Sequence, residues 1–148
     1  FIDRLTKRLD QHIARCIDPI PNPLITVKGL GPVITAGLMA EIVDVSRFPE
    51  HKHLAQYFGI SWTKRSSAGS ATQDSRMTKV GNPYGRYYFI IGADRLRMYN
   101  EVPKHQHKRA LVLTARKLVR LVHALLTKNV PYVRPQMTVD SGEADLLQ

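Results

Sequence analysis

A single cysteine, Cys16, occurs in 148 residues, so no disulfide can close within the chain. Nowhere do about 18 apolar residues run together, which removes any candidate for a membrane-spanning helix, and no signal-peptide pattern opens the sequence. These absences predict a reducing, cytoplasmic setting. The first residue is Phe1, inside a helical period, so the chain reads as a piece of something longer. Acidic residues are the other shortage. Asp and Glu number 12 against 22 Lys and Arg, giving +10 and a pI near 10.1. That balance favours a polyanionic partner, DNA or RNA, without choosing between them. The length fits one domain with flanking pieces.

The chain opens with Ile2, Leu5, Leu9, Ile13 and Cys16 at three- and four-residue spacing, with charged residues between them. This predicts an amphipathic helix whose narrow apolar seam suits either a short coiled coil or packing on its own domain. Pro19, Pro21 and Pro23 end it, because proline lacks an N–H and disfavours helix in the residue before it. Gly29-Leu30-Gly31-Pro32 then separates two apolar segments, predicting a helix-hairpin-helix-like arrangement over residues 23–48. Its loop N–H groups, with Lys28, could face a phosphate, or the glycines could simply form a turn between core helices.

Phe48, Leu54, Tyr57 and Phe58 are expected to point inward from a short helix. The pairs His51/His53 and His105/His107 lack the carboxylates or cysteines that would complete a metal set, and no metal is assigned to them. Residues 64–82, KRSSAGSATQDSRMTKVGN, are rich in hydroxyls and carry cations at both ends with Asp74 as the one acid. A solvated loop, a phosphate clamp or the seat of a nucleophilic serine all fit. Asn82 and Pro83 form a helix start, cap then first turn. In the helix that follows, Gly85 and Gly92 cost about 1 kcal/mol each relative to Ala, so tertiary packing must hold it. Tyr84, Tyr87, Tyr88 and Phe89 are expected to supply that packing, the alternative being stacking on bases.

Between residues 104 and 128, Leu111, Leu118, Leu121, Val122 and Leu125 share one helical face. His105, Arg109, Arg116, Arg120 and His123 share the other. From Arg76 to Lys128 there are 12 basic residues, with Asp94 and Glu101 as the acids. Such an imbalance self-repels without an anion nearby and points to nucleic-acid contact.

The segments ITVKGLGPVITAGLMAEIVDVSRF, KRSSAGS…RMTKVGNPYGRYY and KHQHKRALVLTARKLVRLVHALL together resemble the C-terminal domain of the IS110-type insertion-sequence transposases, relatives of bridge-RNA-guided recombinases. The resemblance runs over about residues 24–128, with the blocks in the family's order. It implies a serine nucleophile, placed at Ser67 by the register of Lys79, Gly81 and Asn82, with Ser66 and Ser70 as rivals. Ala68 stands where the family prefers glycine, and Gly85 where it usually has leucine. Attack of a hydroxyl on a DNA phosphodiester needs cations around the phosphate, and Lys64, Arg65, Arg76, Lys79 and Arg86 are close in sequence.

The resemblance further implies that Mg²⁺ is held by an N-terminal RNase-H-like domain outside these residues. It also implies DNA and a guide RNA as partners, and subunits joined through the N-terminal coil. The expected fold is mainly α. Residues 1–18 are read as the end of a coiled-coil helix, 19–23 as a linker, 24–130 as the serine domain and 131–148 as a disordered tail. The phosphate-binding candidates are Lys28, Gly29, Gly31, Lys64, Arg65, Arg76, Lys79, Arg86, Arg109, Arg116 and Arg120. The rival to a transposase or recombinase part is a non-catalytic module that only binds DNA or RNA.

Overall fold

The computed structural model describes residues 1–61, 77–99 and 107–134, with side chains from residue 110 onward in the last stretch. Among these residues the fold is all helical. Its helices are α1 (Ile2–Ile17), α2 (Pro32–Ile42), α3 (His51–Tyr57), α4 (Pro83–Tyr99) and α5 (His107–Lys128), with 3-10 turns at Pro23–Thr26 and Val45–Arg47.

Helix α5 carries much of the core. Ala115, Leu118, Val119, Val122 and Leu125 are buried along one side, the face that helical periodicity selects. The same core takes in Phe89 and Ala93 of α4 and Leu54 and Phe58 at α3, with Leu38 and Ile42 of α2, a helix that packs on α4. Each fully buried Leu or Phe contributes about 1.5–3 kcal/mol. The two rings at the centre, Phe58 and Phe89, lie with centroids 5.3 Å apart in a tilted arrangement.

The glycines of α4, unfavourable by propensity, sit at two helix crossings. A Cβ on Gly85 would overlap the Phe58 ring, and one on Gly92 would come within 2.9 Å of Leu118. Close approach to α3 and α5 replaces the helix propensity these positions lack.

Three sequence expectations change on folding. The first helix of the expected hairpin is a 3-10 turn of 4 residues, Pro23–Thr26, with Asn22 capping it through Leu24 N–H. The prolines that bracket this segment leave too little chain for an α-helix. The tyrosines of α4 divide: Phe89 is fully buried and Tyr88 half-buried, whereas Tyr84 and Tyr87 are exposed. Tyr57 is likewise partly exposed, its ring lying against Phe48 and Phe58.

Helix α1 buries only its end. Ile17 is buried, Ile13 and Ala14 are half-buried, and Ile2, Leu5, Leu9 and Cys16 are exposed. After α5 the chain turns back, and Tyr132 N–H donates to Thr26 Oγ1 at 2.7 Å. No helix among the described residues is long and apolar enough to cross a membrane.

Candidate nucleic-acid interface

Ser61 and Met77 are the described residues on either side of the hydroxyl-rich stretch, and the chain there is tied together as a stem. Thr78 N–H donates to Ser61 O at 2.9 Å, Lys79 N–H donates to Gly59 O at 3.2 Å, and the Ser61 and Thr78 hydroxyls lie 3.3 Å apart. Arg86, one turn into α4, locks this stem from beneath. Its Nη1 donates to Phe58 O at 3.2 Å and to Lys79 O at 2.9 Å. Both hydrogens of one nitrogen are used, held in direction by the rigid guanidinium plane.

The return strand of the stem is the Lys79-Val80-Gly81-Asn82 turn. Lys79 has φ +54 and Gly81 φ +131, and the Gly81 Cα faces the Tyr57 carbonyl so closely that no Cβ fits. Asn82 then starts α4. Its Oδ1 accepts from Tyr84 N–H at 2.9 Å and Gly85 N–H at 3.2 Å, as an N-cap does, while its Nδ2 donates to Glu41 Oε2 of α2 at 2.6 Å.

Beside this stem, Arg47 lays its guanidinium over the rings of Phe48 and Tyr57, 5.5 and 5.7 Å from their centroids. The chain reaches Arg47 through an unusual corner. Val43 has φ +61 and ψ −65, and Asp44 N–H donates to Ile42 O across it at 2.7 Å, a γ-turn of the rarer, strained hand. Asp44 then caps the Val45–Arg47 turn, accepting from Ser46 N–H at 2.8 Å and from the Ser46 hydroxyl at 2.7 Å. These bonds, the hydroxyl first, hold the exposed Asp44 carboxyl below its ordinary value.

The outer side of α5 carries Arg116, Lys117 and Arg120, all exposed, and the helix contains no Asp or Glu. His123 leaves this face. Half-buried, its Nε2 lies 2.8 Å from Phe48 O, which pins α5 to the segment before α3. The glycine turn lies against the C-terminal end of α4. Gly29 has φ +106, a conformation other residues rarely adopt, and faces the Tyr99 ring, which a Cβ there would approach to 3.0 Å. Lys28 Nζ sits over that ring, 5.4 Å from its centroid. Gly31 is exposed and precedes Pro32 as the N-cap of α2.

Residues 22–109 match the Transposase IS116/IS110/IS902 family, a stretch covering more than half of the 148 residues. The chain belongs to that family. A relative in Sinorhizobium fredii (strain NBRC 101917 / NGR234), the protein y4rJ, which is named as a transposase, is 39% identical over 83 residues. That alignment takes in 55% of this chain and 20% of the relative, so the chain spans about one fifth of that protein's length.

The glycine turn, the corner at Val43 and the Lys79–Asn82 turn all lie within the matched residues, while most of α5 follows them. Of the residues singled out by sequence, Lys79 and Arg86 meet at the stem and Lys28 and Gly29 meet at Tyr99. Arg116 and Arg120 line the outer face of α5. Ser67, its rivals Ser66 and Ser70, and Lys64, Arg65 and Arg76 lie outside the described residues, as do His105 and the side chain of Arg109.

Sequence reasoning passed over Arg47, Lys117 and Arg95, all exposed cations. Lys117 follows directly from the helical register of α5, while the stacking of Arg47 on two rings depends on the corner at Val43 and carries no sequence signal. Among the described residues no three His, Cys, Asp or Glu gather as a metal set.

Proposed function

We propose that the chain is a DNA-contacting part of a transposase, gripping phosphates with the outer face of α5 and carrying a nucleophilic serine, Ser67, in the segment that the stem brackets. The observation that carries this reading is the division of α5. One side is the protein's core, while the other offers Arg116, Lys117 and Arg120 with no acid on the helix to neutralise them. A helix of that kind is a footprint for a polyanion.

The stem supports the finer part of the proposal. The residues on either side of the Ser67 segment are joined by backbone hydrogen bonds and clamped by Arg86, an anchorage that a positioned nucleophile requires. Arg86 serves this purpose through one nitrogen, Nη1. Under this reading the Mg²⁺ of the reaction is held by acidic residues of another domain. A guide RNA and self-association through the exposed seam of α1 (Ile2, Leu5, Leu9) belong to the same reading.

The test of the serine is a covalent protein–DNA adduct formed when the chain is combined with the metal-binding remainder of a family member. Ser67→Ala should abolish the adduct and leave DNA affinity nearly unchanged, since one hydroxyl adds little beside several Lys and Arg. An adduct that survives Ser67→Ala, or disappears with Ser66→Ala alone, refutes the assignment and leaves a DNA-binding module.

A further inference from the structure

We infer that the outward stripe of α4 is a stacking platform for unpaired bases of a single-stranded segment of nucleic acid. The inference rests on the reading of the chain as one that contacts nucleic acid. Tyr84 and Tyr87, three residues apart and so on one helical face, are 71% and 60% exposed, while Phe89 in the same run is fully buried. Arg95, Met98 and Tyr99 continue that face, all exposed, and Lys28 reaches it over the Tyr99 ring. From Tyr84 to Tyr99 the stripe runs roughly 22 Å at the helical rise.

One of the two rings is braced. Tyr87 meets the ring of Tyr88 edge-on with centroids 5.5 Å apart, and Tyr88 is seated against Gly37 of α2. A braced, exposed ring loses little freedom on stacking. Charge decides the class of occupant. The one acid of α4, Asp94, is paired with Arg97 at 3.0 Å, so the stripe combines flat rings with Arg95 and Lys28 in a chain of net charge +10. Aromatic faces interleaved with cations suit a strand whose bases are open and whose backbone is anionic, because every base has a π-face to stack. Duplex DNA cannot use these rings, since its bases are already stacked. Duplex and strand contacts therefore separate experimentally.

The experiment measures binding of the 148-residue chain to a labelled oligothymidylate of about ten nucleotides, to the matching oligouridylate, to an abasic strand of the same length and to a duplex. The same titrations are repeated on a Tyr84→Leu/Tyr87→Leu variant and a Tyr84→Phe/Tyr87→Phe variant. The leucine pair should lose about ten-fold or more in affinity for the base-bearing strands, the phenylalanine pair should retain it, and duplex and abasic binding should stay within about two-fold. Loss on both oligothymidylate and oligouridylate supports a platform for either strand, while loss on one names the strand it takes. Unchanged oligonucleotide binding by the leucine pair overturns the inference and returns the face to a protein contact. A wild-type chain that binds duplex but no oligothymidylate also overturns it, with the proposed function intact. Failure to bind duplex together with ring-dependent strand binding would refute the proposed function and sustain this one.

Discussion

Asn82 Nδ2 on the first turn of α4 donates to Glu41 Oε2 on α2 at 2.6 Å, while Asn82 Oδ1 caps α4. One side chain therefore starts a helix and braces it against another, at the end of the Lys79–Asn82 turn. Asn82→Ala should remove the cap and leave Glu41 without its partner, costing about 1–2 kcal/mol and several degrees of Tm. Asn82→Asp keeps the cap acceptor but sets a second carboxylate against Glu41. It should therefore be no better than Ala at neutral pH in a thermal melt, although Asp is ordinarily as good a cap as Asn.

Arg86 tests the stem. In Arg86→Lys the charge survives, but the shorter, flexible side chain lacks the rigid plane that sets Nη1 between the carbonyls of Phe58 and Lys79, so their shared donor is lost. Amide hydrogen exchange at Thr78 and Lys79, whose N–H groups bond across the stem, should accelerate by about ten-fold, the equivalent of one charged hydrogen bond. Unchanged exchange would mean that the stem does not depend on Arg86.

Gly85 offers a test in which two effects oppose in sign. Helix propensity alone makes Gly85→Ala stabilising by about 1 kcal/mol, whereas overlap of its Cβ with the Phe58 ring makes it destabilising by about 1–3 kcal/mol. Denaturant melts should show the second. A double-mutant cycle with Phe58→Leu should recover at least about 0.5 kcal/mol of the loss, because the smaller side chain vacates the contested space.

Helix α5 and the start of α4 are legible from sequence because each depends on local pattern. Leu118, Val122 and Leu125 repeat at helical spacing toward one core, and Asn82-Pro83 is a cap followed by a residue preorganised for a first turn. Helix α4 itself is less legible. It is packed by α2, by α5 and by Phe58 together, so its buried face is defined by small residues, Gly85, Gly92 and Ala93, and its tyrosines cannot be sorted by periodicity. The role of Arg86 depends on bringing residues 58 and 79 together. The corner at Val43 has a β-branched residue at positive φ, where local preference points the other way.

Asp44 predicts a pH dependence. Its carboxyl is held below the ordinary 3.8 by the Ser46 hydroxyl and amide. The charged form therefore adds stability that is present above that value and is lost as pH falls through the lower folded one. Asp44→Asn keeps an acceptor for Ser46 N–H and removes the charge. Melting temperatures of the two proteins, compared from about neutral pH down to about pH 2, should differ at the upper end and converge below the ordinary carboxylate range. A gap that persists at the acid end would assign the effect to packing instead.

The phosphate grip of α5 is tested most directly by titrating duplex DNA binding against salt. With about six phosphates neutralised, log K should fall against log salt with a slope near −5, and Arg116→Gln/Arg120→Gln should make it shallower by about 2. An affinity independent of salt, or a slope unchanged in the double variant, would contradict the account.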